Sequence, residues 1–237
     1  MAEAKGLPED FLRSKGVTDG VTGTGSSRRP CVDIAYADES GEVKALRKRL
    51  SMDGPSRFIW RRGDKTILYG LPYLKDIKRS GKVVLVEGES DAWSLWHHRI
   101  PALGIPGAST WKERFRLHLD GLEVYVWHEP DDGGDRLIDA VCQDLPDVRV
   151  IEAPPDAKDP SDLYLVDANN FKKKMLGLIE AARPFSELRA EAFSEEAREC
   201  LAKASALLHS PDILNQLKGA IRATGFAGDT RPAMMSY

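Results

Sequence analysis

Along the chain, the alternation of apolar and polar positions changes character three times. Residues 7–19 predict a short helix, with Pro8 at its start and Phe11, Leu12 and Lys15 following, and 16–30 (GVTDGVTGTGSSRRP) is rich in Gly, Ser and Thr and reads as a loop. From 31 to 70 the period falls to two. CVDIAYADESGEVKALRKRL predicts two strands joined at Asp38-Glu39-Ser40-Gly41, and RFIWRRGDKTILYG a second pair joined at Gly63-Asp64. From 82 onward, continuously apolar runs at 82–88, 101–107, 123–127 and 148–153 alternate with helical segments at 90–98, 111–119 and 134–145. Strands apolar on both sides need cover on both sides, which is the signature of a parallel sheet between helices. If the first and third of these strands are neighbours, the order is 2-1-3-4. Beyond Pro160 the pattern is helical, over 169–182, 186–208 and 211–224; Ser210 is suited to capping the last helix, Pro211 to its first position and Gly225 to its end. The expected fold class is α/β, in four regions: an N-terminal helix and loop (1–30), a basic β-rich subdomain (31–80), a parallel-sheet domain (81–165) and a helical region (166–237).

Composition narrows the setting. The 237 residues are 42% hydrophobic and 30% charged, enough for one good-sized core or two small ones. Cys31, Cys142 and Cys200 show no CxxC spacing, so neither a zinc site nor a disulfide framework is expected. No apolar run approaches the ~18 residues of a membrane span, and MAEAKGLPEDFLRSKG has no apolar signal core. A cytoplasmic protein is expected, and the ending RPAMMSY leaves room for a further domain. The net charge of −3 conceals segregation: residues 42–65 hold eight basic and three acidic side chains, residues 129–162 eleven acidic and three basic. A basic region beside an acidic one fits a polyanion surface next to a cation site.

The acidic side chains gather where a parallel sheet places its ligands, beyond the carboxyl ends of the strands. The first strand of this sheet ends in Glu87-Gly-Glu89-Ser-Asp91, the third in Glu129-Pro-Asp131-Asp132, and the fourth is followed by Lys158-Asp159-Pro-Ser-Asp162. Glu129 and Asp131, two apart, share a side in extended chain. A dinucleotide site is excluded because its first turn requires GxGxxG and here reads EGESD, which repels phosphate. A phosphate loop at Gly20–Gly25 fails as well, since Ser26 stands where its lysine belongs. Hard divalent cations reverse that logic: Mg²⁺ takes a few carboxylates and shares its remaining positions with substrate phosphates.

With these motifs in view, VVLVEGESDAWSLW and VYVWHEPDDGGDRLIDAV resemble the TOPRIM fold and, within it, bacterial DnaG-type DNA primases. VEGESDA resembles their EGxxD motif and aligns Glu87, Gly88 and Asp91. EPDDGG resembles DxDxxG and aligns Glu129, Asp131 and Gly134. KDPSD resembles the later acidic motif, with Asp159 and Asp162. AYADESGEVKALRKR and ILYGL resemble the basic subdomain that precedes TOPRIM in primases, so the resemblance covers roughly residues 6–165. It implies nucleotidyl transfer with two Mg²⁺ or Mn²⁺ ions, short RNA primers on a single-stranded DNA template and nucleoside triphosphates as substrates. It also implies a phage or mobile-element setting, without the zinc-binding module of many primases. On this resemblance Glu87, Glu129 and Asp131 are the catalytic candidates; Glu87, Glu129, Asp131, Asp159, Asp91 and Asp162 the metal-binding ones; Arg47, Lys48, Arg49, Arg61, Arg62 and Lys158 the nucleotide- or nucleic-acid-binding ones. Gly88, Gly133 and Gly134 shape the turns. Two positions depart from the family pattern: Glu129 where an aspartate is usual, and Ser161 where some members carry aspartate.

Other prominent residues have plainer readings. His97 and His98 end a helix and offset its dipole; Trp93 and Trp96 pack; Trp60 and Trp111 are core residues before they are base-stacking platforms. His128 faces away from Glu129 on an extended strand, and Asp135 caps or flanks the helix that follows. Two other functions share the fold or the charge pattern: a metal-dependent TOPRIM nuclease, and a non-enzymatic nucleic-acid-binding module that recruits a replicative helicase, separate or fused, through the C-terminal helices. A topoisomerase is disfavoured, because none of the six tyrosines has the setting of a nucleophile.

Overall fold

The computed structural model describes residues 1–52, 57–209 and 212–225 and divides into two compact units, Met1–Ser186 and Glu187–Tyr237. The first unit opens with two short helices, α1 (Ala2–Lys5) and α2 (Glu9–Ser14). The expected single helix over 7–19 is cut short because Gly16 takes a left-handed conformation, φ 77°, and turns the chain into a strand. Four antiparallel strands follow in the order β1 (Val17–Thr22), β2 (Arg29–Ala37), β3 (Val43–Arg49) and β4 (Phe58–Trp60). The segment expected to be a loop thus contains β1, paired with β2 from Val17↔Ile34 to Thr22↔Arg29. The hairpin expected at Gly63-Asp64 forms only its first arm. Beyond it, Leu68 and Tyr69 are fully buried, and Tyr69 exchanges both backbone hydrogen bonds with Gly104 (2.8 and 2.9 Å) in the second sheet. Burying two large side chains outweighs continuing an edge ladder.

The second sheet is built from β5 (Lys82–Glu87), β6 (Ala102–Ile105), β7 (Glu123–His128), β8 (Arg149–Glu152) and β9 (Arg183–Pro184), in the order β6-β5-β7-β8-β9. The first four are parallel, and the short β9 adds an antiparallel edge. Val83, Val84, Leu85 and Val86 of β5 and all of β6 are buried, as strands covered on both faces must be. The covering helices are α3 (Leu74–Ser80), α4 (Glu89–His97), α5 (Asp132–Asp144), α6 (Pro160–Val166) and α7 (Phe171–Ala181). The segment near 111–119 is a tighter 3₁₀ helix over Glu113–His118. Trp93 and Trp96 pack, the first donating to the Tyr69 hydroxyl at 2.7 Å. Trp111 donates to Asp144, and Trp60 lies edge-on to Tyr36.

His98 departs from the expected dipole-offsetting cation. Burial, with the charges of His97 and Lys172, lowers its pKa, and its ring packs on Phe171 and Tyr164, 4.8 and 5.4 Å between centroids. Cys31 and Cys142 are buried thiols and Cys200 an exposed one. The second unit contains α8 (Phe185–Leu208), which begins at the boundary, and α9 (Ile213–Ala223). Ser210 and Pro211, expected to start the last helix, lie outside the described residues. Phe193, Leu201 and Leu214 are exposed in this unit. Among the described residues no helix is long and apolar enough to cross a membrane.

Candidate active site

The carboxyl edge of the parallel sheet is where the acidic residues arrive, each carried by a different turn. β5 ends at Glu87, and Gly88 (φ 100°, ψ 179°) reverses the chain into α4, a backbone state that favours glycine. β7 runs out through His128 into a tight turn in which the Asp131 N–H reaches the Glu129 carbonyl at 2.8 Å. Asp131 is the N-cap of α5: its Oδ1 accepts from the N–H groups of Gly133 and Gly134, both at 2.9 Å. Asp135, expected to cap or flank this helix, lies within its first turn and instead meets His128 Nε2 at 2.8 Å, while His128 Nδ1 meets Glu152 at 2.9 Å. Asp159 caps α6, accepting from the Asp162 N–H at 2.7 Å, with Pro160 opening the helix.

The Lys158 ammonium lies 3.0 Å from Glu129 Oε2 and 2.8 Å from Asp131 Oδ2. The Trp127 indole holds the Lys158 carbonyl at 3.0 Å and so ties the loop to β7. Glu129 is buried, and that burial pushes its carboxyl up to about 7; Lys158 pulls the other way, while the charges of Glu87 and Asp159 add to the rise. Asp131 is held below the ordinary aspartate range, chiefly by Lys158 and then by the Gly134 N–H, and Lys158 is raised in return. Asp91, fully buried, is driven well above its ordinary value by burial and then by the charges of Asp159 and Glu129. Its Oδ1 accepts from the Ser161 N–H at 3.2 Å. Asp162 is raised by burial and by Asp159.

Glu87, Asp91, Glu129, Asp131, Asp159 and Asp162 therefore form one electrostatically connected group. Lys5 of α1 is part of its surroundings: it donates to the buried Ser161 hydroxyl at 3.0 Å, and its charge acts on Asp91 and Asp162. Nothing local in the sequence signals this contact, which joins positions 156 residues apart. No three His, Cys, Asp or Glu side chains among the described residues are already gathered as a metal-ligand set. The donor chemistry nevertheless suits a hard cation. All the candidate ligands are carboxylates, and the place between Glu129 and Asp131 is taken by a positive charge, the Lys158 ammonium.

Of the five basic candidates on β3 and just after β4, four have partners of their own. Arg47, partly buried, lies 2.9 Å from Glu89 Oε1, with the Tyr36 hydroxyl donating to the same oxygen. Its guanidinium also lies over the Phe58 ring, 4.1 Å from the centroid. Lys48 pairs with Asp33 at 2.8 Å, on the other side of the sheet. Arg49 donates to the carbonyls of Ser51 and Met52, and Arg61 pairs with Asp64 at 3.0 Å. Arg62 is exposed and makes no ion pair among the described residues. The Glu89–Arg47–Tyr36 cluster was not anticipated from the sequence.

Comparisons with known proteins add to this geometry. No family model matches the chain. The Gene 57 protein of Mycobacterium phage D29 is 34% identical over 131 residues, which is 53% of this chain and 85% of that protein. Among solved structures, the RNA polymerase domain of Mycobacterium tuberculosis primase DnaG aligns with a TM-score of 0.67 at 15% identity, over 95% of this chain and 89% of that one. A DnaG primase catalytic domain bound to single-stranded DNA aligns with a TM-score of 0.67 at 18% identity, over 82% and 74%. The primase fragment of the bacteriophage T7 primase-helicase protein aligns with a TM-score of 0.57 at 22% identity, over 73% and 72%.

Proposed function

The chain belongs to the family of the mycobacteriophage D29 Gene 57 protein and has the fold of DnaG-type primase catalytic cores, and from this premise we propose that it is the catalytic core of a DNA primase. The observation that carries the reading is the convergence of Glu129, Asp131 and Asp159, with the charge of Glu87, at the carboxyl edge of the parallel sheet. The activity is metal-dependent synthesis of short RNA primers on single-stranded DNA. Bound there, Mg²⁺ or Mn²⁺ would supply charge stabilisation for the attacking and leaving oxygens of phosphoryl transfer. Glu129, Asp131 and Asp159 would hold the cation, with Asp91 and Asp162 behind them, and Glu87 would serve as a further ligand or as the base toward a 3′-hydroxyl. Lys158 would contact the triphosphate. Arg62 and Arg61, exposed just beyond β4, are the basic side chains proposed to meet template phosphates. Since the T7 neighbour is a fragment of a primase-helicase protein, a replicative helicase, separate or fused, is the proposed protein partner.

The test is primer synthesis from labelled nucleoside triphosphates on single-stranded DNA with Mg²⁺ or Mn²⁺, wild type beside Asp131→Asn. Short products from wild type that fall at least about 100-fold in the variant are expected, the size of loss typical when a charge-stabilising group is removed. Degradation of the template by wild type, lost in the variant, would transfer the assignment to a nuclease. Binding of DNA with neither activity would leave a helicase-recruiting module.

A further inference from the structure

The position between Glu129 and Asp131 is claimed twice: by the Lys158 ammonium in the structure, and by a divalent cation in the function proposed above. The two claims exclude each other physically. Lys158 Nζ lies 3.0 Å from Glu129 Oε2 and 2.8 Å from Asp131 Oδ2, so it takes one oxygen of each carboxylate. The other Asp131 oxygen is already committed to the Gly133 and Gly134 N–H groups. A divalent ion sits about 2.1 Å from a carboxylate oxygen. Placed on the same oxygens, it would lie within a few ångströms of the ammonium, where like charges repel strongly in a partly buried site.

The lysine is fixed at its backbone and exposed at its tip. Its backbone is tied down, with the carbonyl held by Trp127 at 3.0 Å, while its side chain is 49% exposed and that of Glu129 only 9%. A cavity of about 430 Å³ opens beside it, lined by Pro155, Asp156, Ala157, Asp162 and Leu165 together with Lys158 itself. One end is therefore anchored and the other has room to swing without disturbing the turn.

We propose that Lys158 is a tethered counter-ion for Glu129 and Asp131, keeping the carboxylates assembled in the metal-free protein and giving up its place when a divalent cation binds. Resting on the metal-dependent reading, this deepens it: the lysine sets the affinity of the centre for its ion, and the exchange releases the ammonium for the phosphate contact assigned to it above. A residue that only braced the loop would leave metal affinity unchanged or weaken it on removal.

The experiment is Mn²⁺ binding to the full chain, followed by the electron paramagnetic resonance signal of free Mn²⁺, in wild type, Lys158→Met, Lys174→Met and Asp131→Asn. Lys174 pairs with Asp156 and Asp167 at 3.9 and 3.4 Å and controls for the loss of one nearby positive charge. Lys158→Met is expected to bind Mn²⁺ about five- to tenfold more tightly than wild type, the worth of its two partly exposed, charge-assisted pairs. Lys174→Met should stay within about twofold, and Asp131→Asn should bind more weakly. Equal or weaker binding by Lys158→Met, with wild type binding normally, overturns the counter-ion role and leaves the metal reading standing. The same tightening in both lysine variants also overturns it, because general charge would then explain the gain. Absence of Mn²⁺ binding in both wild type and Lys158→Met overturns the metal reading and this proposal with it.

Discussion

Asp131 divides its two oxygens between fold and chemistry. Oδ1 caps α5 through Gly133 and Gly134, and Oδ2 faces the Lys158 ammonium. Asparagine preserves the capping oxygen and replaces the other with an amide that can neither hold a cation nor attract the lysine. Asp131→Asn therefore tests function without removing the cap, which Asp131→Ala would. Glu89 shows the opposite case of a carboxylate wholly committed to structure. It is 3% exposed, with Arg47 and Tyr36 on one oxygen, and Arg47 Nε has no hydrogen-bond partner among the described residues. A guanidinium already short of one bond tolerates the loss of its counter-charge poorly. Glu89→Gln should destabilise the protein by about 3 kcal/mol, seen as a lower urea midpoint at unchanged slope, as expected when one member of a buried ion pair is removed.

Two turns, one at the acidic site and one in the first sheet, each make a testable demand. A Cβ at Gly134 would fall 2.0 Å from the Glu129 carbonyl oxygen, whereas one at Gly133 would come no closer than 3.0 Å to Asp131 Oδ1 and 3.6 Å to the Ala108 Cβ. Gly134→Ala must push β7 and α5 apart and should cost about 3 kcal/mol or more, with primer synthesis lost; Gly133→Ala should be milder on both measures. The β2–β3 turn depends on Asp38, whose carboxylate accepts from the Ser40 hydroxyl, the Ser40 N–H and the Glu42 N–H. The Ser40 hydroxyl first, with Lys44 and the backbone groups, lowers its pKa to about 2. A carboxyl lowered on folding contributes stability above its unfolded value, about 3.9, and loses it as pH falls through about 2. Asp38→Asn should therefore be less stable than wild type at neutral pH, and denaturant midpoints of the two should converge between about pH 4 and pH 2. Legibility in the sequence followed the same local logic. β5 and β7 could be read because unbroken apolar runs have few alternatives, and the turn motifs because they are contiguous. β1 could not, because Gly20 interrupts its period, nor could the fate of Leu68 and Tyr69, which is decided by a sheet that forms later in the chain. The Glu89–Arg47 and Lys5–Ser161 contacts join residues 42 and 156 positions apart, and no local pattern reports them.

For the whole molecule, fewer of the basic side chains expected to meet nucleic acid are free than the composition implies. Of the six basic residues expected to meet nucleotide or nucleic acid, Lys158 is held by Glu129 and Asp131, Arg47 by Glu89, Lys48 by Asp33, and Arg49 by the carbonyls of Ser51 and Met52. Arg61 is half exposed yet paired with Asp64, which leaves Arg62 as the exposed cation of the group without an ion pair among the described residues. A net charge of −3 adds no general attraction for a polyanion, so binding must rest on a few local contacts. Each phosphate contact to a single strand contributes about −0.7 to the slope of log affinity against log salt. Arg62→Ala should make that slope shallower by roughly this amount, lower single-stranded DNA affinity at about 50 mM salt, and leave thermal stability within about 0.5 kcal/mol of wild type. Lys48→Ala should instead leave the slope unchanged, because its ammonium already belongs to Asp33. Fluorescence anisotropy of a labelled oligonucleotide across a salt series distinguishes the two, and equal slopes for wild type and Arg62→Ala would move the template path off this sheet.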